Sequence, residues 1–69
     1  MKSVWIVDCV DSGECDVTQV GNTCATYEEA RELFANKLKE LGCYDEWDGI
    51  AAYHAMADKL YVVREIQLP

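Results

Sequence analysis

TYEEARELFANKLKELG, Thr26 to Gly42, is the stretch whose reading decides the fold. Thr26 with Glu29 three residues later fits a capping box, in which a hydroxyl and a carboxylate satisfy free backbone N–H groups at a helix start. Glu28, Glu29 and Glu32 fall early, where the positive end of the helix dipole favours acids, and Lys37 and Lys39 fall late. Gly42 suits the left-handed position just past a last turn. Ala30, Leu33, Phe34, Leu38 and Leu41 recur at spacings of three and four, forming one apolar stripe on a helix over about residues 27–41. A helix with a single apolar stripe needs a second layer, and the flanking segments read as a sheet.

Ser3 to Val10 is rich in sheet formers and apolar on both alternating faces, Trp5, Val7 and Cys9 on one and Val4, Ile6, Asp8 and Val10 on the other. Such a strand belongs in the interior of a sheet. Asp11 to Glu14 is a turn by composition, with Gly13 free to take a positive φ, and Asp16 to Thr23 returns as a second strand. After the helix, Cys43 to Gly49 reads as an acidic loop holding two aromatics. The last third has two readings. A hairpin takes Gly49 to Ala55 as a strand, Met56 to Lys59 as the turn and Leu60 to Leu68 as the return, whereas the alanines at 51, 52, 55 and 57 also suit a short helix over about 50–59. The preferred expectation is an α+β domain of ββαββ order with one helix across an antiparallel sheet; the alternative is ββααβ. In either case the chain, residues 1–69, forms a single domain. The face away from the helix would then carry Val4, Ile6, Val10, Val63 and a tyrosine or two, an exposed apolar patch of the kind that marks interaction sites.

A chain of 69 residues has a small core, burying only about 60% of the surface its unfolded form exposes. Thirteen acidic against six basic side chains give a formal charge of −7, which opposes direct binding to nucleic-acid phosphates or anionic membranes and suits a basic site on another protein. The opening MKSVWIVDCV is too short an apolar run for a signal peptide, Asp8 interrupts it, and no stretch approaches the roughly 18 apolar residues of a membrane span. A cytoplasmic protein is expected, with its cysteines reduced.

Those cysteines stand at 9, 15, 24 and 43, never in the close pairs that aim two ligands at one zinc ion, so neither a metal nor any other cofactor is expected. Three disulfide pairings remain open on parity, although a reducing compartment favours small half-apolar thiols: Cys9 and Cys24 in the core, Cys15 and Cys43 near turns. His54 could act as base to a cysteine, but no motif supports it, and the glycines at 13, 21, 42 and 49 make no phosphate loop. No catalytic residue is assigned, and the expectation is a non-enzyme.

The residues assigned to partner binding form two acidic groups. Tyr44, Asp45, Glu46, Trp47 and Asp48 place two amphipathic rings among three carboxylates; such rings anchor interfaces and such acids pair with a partner's Arg or Lys. Asp8, Asp11, Glu14 and Asp16 surround the first turn.

In its 69 residues, its VWIV opening strand, its TYEEARELF helix onset and its net charge, the chain resembles the small acidic phage and mobile-element proteins of the anti-CRISPR type. The resemblance spans the chain without a diagnostic motif, so no residue role is carried over. It implies a non-enzymatic inhibitor that occupies a basic nucleic-acid-binding or assembly surface of a host defence complex in the host cytoplasm. The second expectation, of a different class, is a small self-associating accessory domain that dimerises through the open sheet face.

Overall fold

The computed structural model describes residues 2–42 and 44–69. The element order is β1 (Ser3–Asp11), β2 (Asp16–Cys24), α1 (Tyr27–Leu41), β3 (Asp45–Trp47), β4 (Ala51–His54) and β5 (Lys59–Gln67). The five strands form one antiparallel sheet in the order β2-β1-β5-β4-β3, with α1 on one face. The α+β class follows the sequence reading, and two details correct it. The sheet has five strands in ββαβββ order instead of four, because Asp45–Trp47, read as loop, is a strand. The alternative helix over 50–59 is absent: those residues form β4, the turn at 55–58 and the start of β5.

The helix starts where its cap residues dictate. Thr26 Oγ1 accepts from the Glu29 backbone N–H at 3.2 Å, while a Glu29 carboxylate oxygen accepts from the Ala25 N–H, also at 3.2 Å. The helix ends at Gly42, whose φ of 79° lets its N–H reach the Leu38 carbonyl at 3.0 Å. The stripe faces the sheet: Ala30, Phe34 and Leu38 are buried against Val7, Ala52, Tyr61 and Val63, with Leu33 and Leu41 at the margin. Tyr27 joins that margin and meets Trp5 edge-on, ring centroids 4.9 Å apart.

Three tight turns set the strand register. In the first, Asp11 Oδ1 accepts from the N–H groups of Gly13 and Glu14 at 3.0 and 3.2 Å. The left-handed residue there is Cys15, φ 59°, and not Gly13 as the composition suggested. Asp48 and Gly49, φ 52° and 68°, turn β3 into β4 with Ile50 N–H bonded to the Trp47 carbonyl at 3.3 Å. Both central residues lie at positive φ, as type I′ hairpin turns require. Asp58, φ 54°, closes the third turn, and its carbonyl accepts from Ser12 N–H at 3.1 Å, tying the first and third turns together. The β1–β2 ladder is regular from Asp11 to Val7 and then shifts register between Val7 and Trp5, so that β2 carries a bulge near Gly21, φ 69°. A Cβ at Gly21 would stand 3.0 Å from the Leu33 methyls, which is how closely α1 approaches β2.

Candidate protein-docking surface

Residues directly opposite in neighbouring strands share a face, so the register defines the side of the sheet away from α1. One row runs Val17, Val10, Leu60, Tyr53, Asp45, and the next runs Gln19, Asp8, Val62, Ala51, Trp47. Ile6 with Arg64 and Val4 with Ile66 continue the pattern toward the chain ends. Among the described residues α1 is the only helix, and its buried stripe lies on the other face, so no element covers these rows. Val4, Val10, Leu60, Val62 and Ile66 are accordingly half-buried, shielded only by their neighbours, whereas Val17 and Trp47 are 60% and 52% exposed. Val63, assigned to this face from the sequence, lies beneath the helix. Because β5 is apolar on both faces, its alternation alone does not distinguish them.

The centre of the face is ionic. Asp8 is 4% exposed, and its Oδ2 accepts from Arg64 Nε at 2.6 Å. Arg64 remains more than half exposed and lies over the strand. Asp8 was assigned as a charge for a partner; its carboxylate is instead committed to Arg64 and offers little to an incoming cation. Of the other acidic residues, Glu14 lies in the first turn and Asp58 in the adjoining one, whereas Asp11 and Asp16, opposite each other and next to Val10 and Val17, fall on the helix face. Asp45 ends the Val17–Tyr53 row on the edge strand, next to Trp47, and Asp48 follows in the turn. Glu46 points to the helix face, opposite Ala52, and so is separated from Asp45 by the strand itself. Tyr44, 40% exposed, precedes the edge strand. Thus the two acidic groups read from the sequence do not merge into one cluster: Glu14 and the pair Asp45 and Asp48 stand at two margins of an apolar face whose centre is internally neutralised, while Asp11, Asp16 and Glu46 belong to the helix side.

Sequence reasoning missed Tyr53 and Asp58. Tyr53 Oη donates to Asp58 Oδ1 at 2.5 Å, fixing that carboxylate at the margin and raising the Tyr53 pKa above its ordinary value, mainly through this bond. The signal that would have found Tyr53 is the Asp48-Gly49 dipeptide, which defines a hairpin and hence the facing of β3 and β4.

The remaining chemistry-bearing groups are dispersed. Cys9 and Cys24 are half-buried free thiols and Cys15 is an exposed one, while Cys43, read as lying near a turn, falls outside the described residues. His54 Nδ1 is buried and makes no hydrogen bond among the described residues. Among those residues, no three His, Cys, Asp or Glu side chains converge as metal ligands, and no helix is long and apolar enough to cross a membrane. Comparison with protein-family models, curated proteins and solved structures finds no match.

Proposed function

We propose that this protein works by binding, without catalysis, and that it docks its open sheet face on a partner protein with a basic surface. The observation that carries this reading is the uncovered face itself: Val10, Val17, Leu60, Val62 and Ile66 around the Asp8–Arg64 pair, with a half-exposed Trp47 and carboxylates at the margins. Five strands about 4.8 Å apart make a full row roughly 20 Å long, and the two rows that cross all five strands form only a narrow apolar band. A stable interface buries about 800 Å² per partner, so a bound protein must also meet the margins. Glu14, Asp45, Asp48 and Asp58 stand there, and they pair best with Arg and Lys. The biological role in line with this chemistry is a stoichiometric inhibitor of the anti-CRISPR type, whose carboxylates occupy basic residues that otherwise hold guide RNA or target DNA.

The test is affinity capture from bacterial lysates containing defence complexes, at low and high salt, followed by affinity measurement on variants. Recovery of a nucleic-acid-handling complex that is lost at high salt supports the proposal. Trp47→Ala should then weaken binding about 30-fold, the effect of losing an aromatic anchor, and Asp45→Lys with Asp48→Lys should slow association. Unchanged affinity in all three removes this face from the mechanism.

A second reading, a homodimer through the same face, is favoured by the apolar rows taken alone. Like-charged margins on chains of −7 each oppose it, which is why the basic partner is preferred. A concentration-dependent mass with no partner added would reverse that preference.

A further inference from the structure

On the opposite side of the sheet, α1 and β2 leave an open pocket of about 360 Å³ whose walls include Cys9, Thr18, Val20, Lys37, Lys59 and Tyr61. The chain has only six basic side chains against thirteen acidic ones, yet two of the six, from different elements, line this one pocket. Neither is strongly committed elsewhere. Lys37 Nζ lies 3.9 Å from Glu40, a carboxylate 74% exposed, and a contact that open to solvent contributes little. Lys59 makes no ion pair among the described residues; Asp11, its register partner, uses one carboxylate oxygen on the backbone N–H groups of its own turn. Tyr61 is 4% exposed, and burial followed by its bond to Cys9 pushes its pKa up to about 12, so at neutral pH the phenol keeps its proton. Thr18 adds a second hydroxyl, while Val20 and Cys9 supply apolar wall.

We propose that this pocket binds a small organic oxyanion, a carboxylate or phosphomonoester on a compact apolar group, with Lys37 and Lys59 holding the charge. Two ammonium groups and the Thr18 hydroxyl provide donors without a competing buried acceptor charge, and the volume lies near the lower bound of ligand sites, roughly 300 Å³. The pocket lies across the sheet from the docking face and does not depend on it.

The test is an NMR titration of the full chain with phenyl phosphate, benzoate and, as the neutral control, phenol. Saturable shifts of the amides of residues 18–21 and 37 with either anion, and none with phenol, are expected. The better of the two anions identifies the headgroup. Lys37→Gln and Lys59→Gln should each weaken binding at least fivefold with the spectrum still dispersed, whereas Lys39→Gln, at an exposed position, should leave it unchanged. No saturable shift with either anion at tens of millimolar overturns the proposal. So do shifts of equal size in the Lys37→Gln/Lys59→Gln double variant.

Discussion

Asp8 and Arg64 show how one pair of side chains can govern a surface. A carboxylate only 4% exposed in the middle of an apolar face is tolerable because Arg64 Nε sits 2.6 Å from it. Arg64→Ala would leave that charge buried and uncompensated, at a cost of about 2–3 kcal/mol in urea unfolding, moderated by solvent reaching the site. Replacing both, Asp8→Leu with Arg64→Leu, should come back to within about 1 kcal/mol of the parent, since an apolar pair of similar volume has no desolvation penalty. Equal losses in the single and the double variant would show that the pair is not the source. Tyr61 gives a pH test at the same scale. Its folded pKa of about 12 exceeds the ordinary 10, so its neutral form favours the folded state. That contribution is whole below pH 10 and is lost as pH rises through about 12. Stability should fall across this interval and fall less steeply in Tyr61→Phe, as followed by denaturation at fixed pH; matching slopes would assign the loss to other groups.

Among the elements, α1 was legible because it carries redundant signals: a capping hydroxyl, a graded charge pattern and a continuous stripe. Thr26→Ala should cost about 1 kcal/mol by removing the acceptor for Glu29 N–H, measured as a shifted denaturation midpoint at unchanged slope. β1 was legible as an interior strand for a similar reason, since both of its faces are apolar. β3 was not, because three exposed residues are too few to show a period, and Asp45 and Glu46 look like loop. Only the turn chemistry of Asp48-Gly49 marks it. Gly49→Ala is therefore expected to destabilise by more than a surface substitution does, because its φ of 68° lies in the left-handed region that an alanine rarely adopts. An unchanged midpoint would mean the turn relaxes freely. The docking face was half legible. Its β1 residues followed from alternation, but which side of β5 the helix covers depends on packing, and the neutralisation of Asp8 depends on a partner 56 residues away in the chain.

For the molecule as a whole, charge and shape push in opposite directions. The open face favours contact with any apolar surface, while a charge of −7 keeps like chains apart. Salt separates the two effects, because screening at ionic strengths of about 0.1 M and above shortens the reach of the marginal carboxylates to roughly 10 Å. Sedimentation should find a monomer at low salt, with any self-association strengthening as salt rises, whereas binding to a basic partner should weaken over the same range. A dimer that dissociates with added salt would contradict the electrostatic account.

The bulge in β2 has a consequence for handling as well as for folding. β2 is a nine-residue strand with one side of its backbone open, and an unpaired strand of that length is a template on which further copies can stack into fibrils. The register shift near Gly21 bends that template, so a second molecule cannot extend the ladder along its full length. Deleting both Gly21 and Asn22 would remove the two extra residues and restore one register along the strand, and the shortened chain should form fibrils at concentrations where the parent solution stays clear.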